Sequence, residues 1–128
     1  MTERYLFDTN VLIDFLNGEP IVYDLVNQAI ATGTAYYSPI TWIELLCYPQ
    51  LTDSESQNIR DFLHQLQIIS LNETTLDRTA EIRKAVRIKL PDALIAACAI
   101  ESSCTLVTRN IKDFQRIKNL RVENPYES

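Results

Sequence analysis

Short apolar segments alternate with longer amphipathic segments along the whole chain. The short segments predict β-strands, and the longer ones, whose apolar residues recur every three to four positions, predict helices. The predicted strands have the sequences "RYLF", "AYYSPIT", "IISL" and "TLVTR", with "LRVEN" as a possible last strand. The predicted helices span residues 10–18, 20–33, 41–48, 54–66, 72–89, 91–104 and 110–118.

Proline, glycine and capping residues set the predicted boundaries. The second helix is opened by Pro20 and closed by Gly33, a common asymmetry of helix ends. Pro39 is predicted to lie at or near the end of a strand, because proline cannot donate to a sheet. Ser54, with Gln57 three residues later, matches a capping box and predicts the start of the fourth helix.

The alternation of strands and helices predicts the fold class. Parallel strands joined by helical crossovers form an α/β protein, here a three-layer α/β/α sandwich with a central, mainly parallel sheet. The length of 128 residues is typical of one domain, which we expect to span residues 1–128. Sites in such folds lie at the carboxyl ends of the strands.

Composition favours a cytoplasmic protein. The chain is 46% hydrophobic and 23% charged, and no uninterrupted apolar run approaches the ~20 residues of a membrane span. The first residues, "MTERYLF", lack the pattern of a signal peptide. We also expect no association with a membrane. Because Cys47, Cys98 and Cys104 stand in apolar runs, we expect three buried thiols in a reducing compartment.

Charge is unevenly distributed along the chain. The net charge is −5, with nine acidic and two basic residues in 1–64, and eight acidic and ten basic residues in 65–128. The ten bases are interpreted as mostly solvated helix faces. They form two groups: Arg78, Arg83, Lys84, Arg87 and Lys89, and then Arg109, Lys112, Arg116, Lys118 and Arg121.

Four acidic residues stand where predicted elements meet. Asp8 and Asp113 follow strands, Glu44 comes about one turn after a strand, and Asp92 opens a nearly all-apolar helix. Asp8 or Thr9 could simply cap a helix, Asn110 with Asp113 resembles a variant capping box, and Asp92 suits a helix dipole. Glu44 is different, because nearly all its neighbours in "TWIELLCY" are apolar.

Convergence of these acids at one sheet edge would require a cation or protons. Two carboxylates ~4 Å apart repel by about 4 kcal/mol at an effective dielectric constant near 20. Oxygen ligands without a histidine or cysteine set favour Mg²⁺ or Mn²⁺. A carboxylate-bound Mg²⁺ that keeps several waters is typical of phosphoryl chemistry.

The sequence resembles the PIN-domain ribonucleases, and among them the VapC-type toxins of bacterial toxin–antitoxin pairs. The resemblance rests on "FDTNVLID", "TWIELL", "LPDALIAACA" and "TLVTRNIKDF", which occur in the order of the family and span residues 7–114. It implies that the catalytic and metal-binding residues are Asp8, Glu44, Asp92 and Asp113. Asn10, Thr108 and Asn110 would be their polar neighbours.

The resemblance also implies an activity and partners. We expect a Mg²⁺-dependent endoribonuclease that cleaves RNA to a 5′-phosphate and a 3′-hydroxyl, with Mn²⁺ as a possible substitute. A small antitoxin protein and a second copy of the chain, forming a homodimer, are the expected protein partners. Thr108 and Asn110 would bind an acidic side chain or a substrate phosphate, and Arg109, Lys112 and Arg116 are placed to meet the RNA backbone.

Other interpretations remain open at this stage. A housekeeping PIN nuclease without an antitoxin, or a PIN-like module without catalysis, would share the motifs. An aspartyl-phosphate phosphatase needs a second acid where Asn10 stands, and a phosphate-accepting receiver domain needs an acidic pair and a lysine that are not in place. Trp42 and Tyr48 could stack on bases, but burial or a dimer contact is favoured, and His64 is expected at the surface.

Overall fold

The computed structural model describes residues 3–127 and contains a five-stranded sheet and seven helices. The strands are β1 (Tyr5–Phe7), β2 (Ala35–Tyr37), β3 (Gln67–Ile68), β4 (Thr105–Val107) and β5 (Val122–Glu123). The helices are α1 (Thr9–Leu16), α2 (Pro20–Ala31), α3 (Pro39–Leu46), α4 (Asp53–Leu63), α5 (Glu73–Ala85), α6 (Leu90–Glu101) and α7 (Ile111–Phe114).

All neighbouring strands in the sheet are parallel, in the order β3-β2-β1-β4-β5. The chain moves outward from β1 through β2 to β3, and then crosses back to place β4 on the other side of β1. In the register of the central pair, Phe7 lies opposite Val107, so β1 and β4 end at the same level.

Helices cover both faces of the sheet. Leu6 and Leu106 point into a core formed with α5, α6 and α7, whereas Phe7 and Val107 point into a core formed with α1, α2, α3 and α4. This assignment follows from the period of two in a strand, which turns successive side chains to opposite faces. The predicted three-layer α/β/α architecture with a parallel sheet is therefore confirmed.

Several boundaries differ from the predicted ones. Pro39 does not end a strand but occupies the first turn of α3, where its missing N–H costs no hydrogen bond. The capping box of α4 is formed by Thr52 and Glu55 rather than by Ser54 and Gln57. Each of these two side chains accepts from the backbone N–H of the other, so the helix begins earlier than predicted.

The fifth helix is shorter than the predicted helix over 72–89. It ends at Ala85, and Val86 follows in an extended conformation with φ −136° and ψ 152°. Residues 86–89 are a connector to α6, whose N-cap is Lys89 and whose first turn contains Pro91. Pro91 stands in the first turn of α6, where its missing N–H costs no hydrogen bond, so it marks the start of a new helix rather than the continuation of α5.

Burial confirms two of the three thiol predictions. Cys98 and Cys104 are buried, and burial raises the pKa of their thiols to about 12 and about 11. Cys47 is exposed just after α3, so its predicted burial was wrong. His64 is exposed, as expected, and lies against the ring of Trp42. None of the helices between residues 3 and 127 has the length and apolar composition of a membrane span.

Candidate active site

The acids predicted from the sequence lie around the carboxyl ends of β1 and β4. The order of strands reverses between these two strands, and ligands in open α/β sheets bind at such a switch point. Asp8 directly follows β1, and Thr108 directly follows β4. The backbone N–H of Asp8 donates to the carbonyl of Val107 over 2.9 Å, which extends the ladder to the residue that carries the site.

Asp8 is held by a hydrogen bond on each carboxylate oxygen. The backbone N–H of Thr9 donates to Oδ1 over 2.9 Å, and the Thr108 hydroxyl donates to Oδ2 over 2.8 Å. The residue is only 9% exposed, and it is the N-cap of α1. A carboxylate at a helix N-terminus is favoured by the helix dipole. Asp8 thus combines the predicted capping role with a fixed orientation at the sheet edge.

Thr108 is fully buried and links Asp8 to the following loop. Its hydroxyl donates to Asp8 and accepts from the backbone N–H of Asn110 over 3.0 Å. Because a hydroxyl has one proton to donate, the Asn110 contact leaves that proton directed at Asp8. The Asn110 side chain donates to Asp113 Oδ2 over 2.7 Å, and no cap hydrogen bond is made by its side chain to α7.

Glu44 is connected to the same site through Thr9, which the sequence suggested only as a helix cap, and Thr41, which the sequence did not single out. The Thr9 hydroxyl donates to Glu44 Oε1 over 2.6 Å, and it lies 2.9 Å from the Thr41 hydroxyl. Since the proton of Thr9 is given to Glu44, Thr41 is the donor to Thr9. Thr9 and Thr41 are buried and Glu44 is exposed, so this row of hydrogen bonds holds an accessible carboxylate from the interior of the protein.

Asp92 and Asp113 form the other side of the cleft. Asp92 lies half-buried in the first turn of α6, and Asp113 is exposed on α7. Both line one surface pocket of about 360 Å³. The α6 helix thus places Asp92 near enough to Asp8 for their charges to interact, which the sequence position of Asp92 alone did not specify.

Burial and mutual repulsion both act on the acids. Burial raises the pKa of Asp8 above the ordinary range; the hydrogen bonds from Thr108 and Thr9 oppose this shift, and the charge of Glu44 adds to it. Burial, followed by the charges of Asp8 and Asp113, also raises the pKa of Asp92, while Lys89 acts against the shift. The four predicted acids therefore sense one another electrostatically, and the cluster favours the uptake of protons or a cation.

The ligand chemistry is that of a hard cation site. The available donors are carboxylate oxygens, which Mg²⁺ and Mn²⁺ prefer. Between residues 3 and 127, no three His, Cys, Asp or Glu side chains are close enough to bind one ion directly. Mg²⁺ usually retains several waters and takes only one or two carboxylates, so this spacing is compatible with a hydrated ion.

Of the predicted RNA-binding bases, Arg109 already has partners within the protein. Its guanidinium donates to Asp14 Oδ2 over 2.6 Å and lies over the Tyr126 ring, 4.3 Å from the ring centroid. Lys112 and Asn10 are exposed beside the cleft, on α7 and α1 respectively. The roles of Asn10, Arg109, Asn110 and Lys112 in substrate binding stay predictions.

Three other bases, which the sequence analysis assigned to a solvated helix face, share a pocket with two of the acids. Arg83, Arg87 and Lys89 line the pocket that also contains Asp92 and Asp113. The signal available in the sequence was the density of bases in "RKAVRIK" directly before "LPDALIAA". This signal was missed because a continuous helix over 72–89 would have spread these bases around its surface.

Comparison with known proteins supports the assignment drawn from the motifs. The PIN domain family model matches residues 5–120. The chain is 33% identical to Ribonuclease VapC2 of Rickettsia felis, with 94% of this chain and 96% of that protein covered. It is 24% identical to the tRNA(fMet)-specific endonuclease VapC of Salmonella typhimurium, with 94% and 97% covered.

Solved structures give the same result. A toxin–antitoxin complex from Klebsiella pneumoniae contains a chain that is 34% identical, with a TM-score of 0.78 and coverage of 97% of this chain and 99% of that one. The VapBC2 complex of R. felis bound to a promoter DNA fragment is 32% identical, with a TM-score of 0.78 and coverage of 94% and 97%. The motifs, the parallel sheet and these relatives agree, and the chain belongs to the PIN-domain family, among its VapC-type members.

Proposed function

We propose that this protein is a Mg²⁺-dependent endoribonuclease, with Mn²⁺ as a possible substitute, and the toxin of a type II toxin–antitoxin pair. The observation that carries the proposal is the placement of Asp8. It is buried at the switch point of the sheet, held on both oxygens, and close enough to Glu44 and Asp92 for their charges to interact. Relatives named as VapC ribonucleases support the activity.

The ion would be held by Asp8, Glu44 and Asp92, by one or two of them directly and by the others through its waters, with Asp113 helping to hold that ion or a second one. When bound, a divalent ion lowers the pKa of a coordinated water and neutralises charge that develops on the scissile phosphate. The protein side chains supply the orientation. Thr108 and Thr9 fix the oxygens of Asp8 and Glu44, so the acids enter the reaction with little freedom to rotate.

The proposed reaction is in-line hydrolysis of an RNA phosphodiester. One acid of the quartet orients or deprotonates the attacking water, and the ribose 3′ oxygen leaves. The products are a 5′-phosphate and a 3′-hydroxyl. The 2′-hydroxyl is not the nucleophile, so the reaction requires no pair of catalytic histidines, and the single histidine, His64, is exposed on the far end of α4.

The Thr108 hydroxyl is proposed as a positioning group for Asp8. We expect Thr108→Val to lower kcat about 10- to 100-fold with a smaller change in KM, because the buried Asp8 loses a donor and its fixed orientation. Steady-state cleavage of a labelled RNA measures both constants. Thr105→Val is the matched control, because Thr105 is a buried threonine of the same strand whose hydroxyl bonds to Glu3 outside the cleft. Equal losses in both variants would refute the positioning role.

We propose that the free protein is a homodimer. Large apolar side chains remain exposed on α2 and α3 and just after α3: Ile21, Tyr23, Ile43 and Tyr48. Burial of such side chains contributes about 25 cal/mol per Å² and favours association of copies. One chain has a mass of 14.7 kDa, and light scattering at high micromolar concentration should give twice that mass. A monomer under these conditions would contradict the assignment.

An antitoxin protein is the second proposed partner. The solved relatives include toxin–antitoxin complexes. The carboxylate cluster offers a place for the guanidinium of an arginine, which forms bidentate pairs with carboxylates and would compete with the metal. Such inhibitory segments are often disordered alone and fold on binding.

Expression in cells tests the toxin assignment. The protein alone should arrest growth, and co-expression with the product of an adjacent antitoxin-like reading frame should restore it. Changing the arginine of that partner to alanine should weaken the rescue. A partner that binds while RNA cleavage continues unchanged would favour a housekeeping PIN nuclease over a toxin.

A further inference from the structure

A pocket next to the acidic cleft has walls of opposite charge. Its volume is about 360 Å³, and it is lined by Arg83, Arg87, Ile88, Lys89, Asp92 and Asp113. One wall is the end of α5 with the connector to α6, and the other carries two of the four predicted catalytic acids. We call the part formed by Arg83, Arg87 and Lys89 the basic pocket.

The cations of the basic pocket have no acidic partner in the described part of the chain. The ion pairs found between residues 3 and 127 are Arg78 with Glu101 and Arg109 with Asp14. Asp92 and Asp113 share the pocket with the three bases, but none of their oxygens is within 4.0 Å of these cations. All three basic side chains are exposed, so their charge is available to a ligand.

The backbone that carries these bases is fixed. Arg116 donates through Nη2 to the carbonyl of Arg87 over 2.8 Å, which ties the connector to the segment after α7. Val86 and Ile88, on either side of Arg87, are half-buried and pack against the core beneath α6. Lys89 is the N-cap residue of α6. The charges therefore project from an ordered segment, and less conformational entropy is lost when they bind.

A phosphate is the ligand that matches this arrangement. Arginine guanidinium groups bind phosphate oxygens in a bidentate manner, and two arginines with a lysine supply the charge that a phosphodiester needs. RNA presents phosphates at regular intervals along its backbone, so one phosphate at the acids brings its neighbours close to the basic pocket. Because the net charge is −5, contacts to the RNA backbone depend on local groups of bases such as this one.

We propose that the basic pocket binds a backbone phosphate of the RNA adjacent to the bond that is cut, and so sets the register of the strand in the cleft. This inference rests on the proposed ribonuclease function and assigns to it a binding subsite. Arg87 and Arg83 are the principal contacts. Lys89 contributes charge to the pocket and also faces Asp92, so it is left intact in the test.

The test uses Arg87→Ala and Arg83→Ala in the full-length protein. Cleavage of a labelled RNA gives KM and kcat, and fluorescence anisotropy with a short RNA gives the Kd in an additional Asp8→Asn background that leaves the RNA uncut. We expect each change to raise KM and Kd about 5- to 20-fold with kcat within twofold. The slope of log K against log salt should fall by about 0.7 for each lost contact to single-stranded RNA.

Lys84→Ala is the matched control. Lys84 lies in the last turn of α5 and carries the same charge, but it does not line the pocket. It should leave KM, Kd and the salt slope within twofold of the parent. Arg87→Lys should keep most of the salt slope, because the charge remains while the bidentate geometry is lost.

Three results would overturn the inference. Equal losses of RNA affinity in Lys84→Ala and Arg87→Ala would show that the overall charge of the protein, and not the basic pocket, determines binding. A lower kcat with unchanged Kd would show that the bases act on the acids instead of on RNA. Unchanged binding by the arginine variants, in a protein that does cleave RNA, would remove the subsite and leave the proposed function intact. If the parent protein cleaves no RNA, the proposed function itself fails.

Discussion

Asp8→Asn is expected to lower RNA cleavage by at least ~10³-fold while the fold is kept. The change removes one charge from the most buried acid of the cleft, and with it a charged ligand for a cation. Asparagine is as good an N-cap as aspartate, because its carbonyl oxygen can accept from the backbone N–H of Thr9. Its NH2 group would face Thr108 and donate to that hydroxyl, which reverses the direction of the bond that Asp8 accepts. Single-turnover cleavage measures the loss, and circular dichroism checks the fold.

The same variant should be more stable than the parent at neutral pH in the absence of divalent ions. Because burial raises the pKa of Asp8 in the folded state, ionisation of that carboxyl costs stability, by about 1.4 kcal/mol per unit of pKa difference. The penalty is absent below the unfolded pKa and complete above the raised folded pKa. The advantage of Asp8→Asn in thermal denaturation should thus be present at pH 7 and shrink as the pH falls.

Asp24→Asn is the control for both measurements. Asp24 is an exposed aspartate of α2, and it is not among the charges that act on Asp8 or Asp92. Its replacement removes the same charge from the protein and should leave cleavage and stability near those of the parent. Cleavage by Asp8→Asn at the parental rate would remove Asp8 from the catalytic residues.

Chelation of divalent ions should abolish cleavage, and Mg²⁺ or Mn²⁺ should restore it. The pKa of Asp92 is raised first by burial and then by the charges of Asp8, Asp113 and Glu44, so the four acids also repel one another. A bound ion relieves this repulsion, so it should also stabilise the fold. At a free ion concentration of ~100 Kd the gain is about 2.7 kcal/mol, which corresponds to a rise in Tm of roughly 10 °C for a domain of this size.

Titration of Mg²⁺ into metal-free protein, followed by thermal denaturation and by cleavage, tests this prediction. NaCl at matched ionic strength is the control, since it screens exposed charges but does not occupy the cleft. Asp8→Asn should show a much smaller increase in Tm on addition of Mg²⁺. Full activity in excess EDTA would contradict a metal mechanism.

The placement of the acids was largely predictable from sequence. Asp8 follows an apolar strand and precedes a helix, which fixes it at the carboxyl end of β1. Alternating strands and helices imply a parallel sheet, and the carboxyl ends of parallel strands share an edge. Glu44 was identified because a charged residue stood in an apolar helix segment, and the structure connects it to Asp8 through Thr9.

The supporting contacts were not predictable, because they depend on which elements become neighbours. The Thr41–Thr9–Glu44 chain forms only because α1 and α3 begin side by side. Arg109 was assigned to RNA, but its pairing with Asp14 of α1 requires the β4 end to lie over that helix. Local propensity does not encode such long-range pairs.

The end of α5 shows a different limit. The amphipathic pattern continued to Lys89, and no proline, glycine or capping residue between Ala85 and Lys89 indicated that the helix stops at Ala85. That four-residue difference decides where the bases point. In a continuous helix they would spread around its surface, whereas in the connector Arg87 and Lys89 line the pocket beside Asp92.

The most direct test of the mechanism is the chemistry of the ends that cleavage leaves on RNA. Purified protein is incubated with a structured RNA and Mg²⁺, and the fragments are treated with a 5′-phosphate-dependent exonuclease and with a polymerase that extends 3′-hydroxyl ends. Hydrolysis at the carboxylate cluster predicts that the first enzyme degrades the downstream fragment, that the second extends the new 3′ end of the upstream fragment, and that no fragments form in EDTA. Fragments with 5′-hydroxyl and 2′,3′-cyclic phosphate ends would show that the 2′-hydroxyl attacks, and would contradict the assignment of Asp8, Glu44 and Asp92.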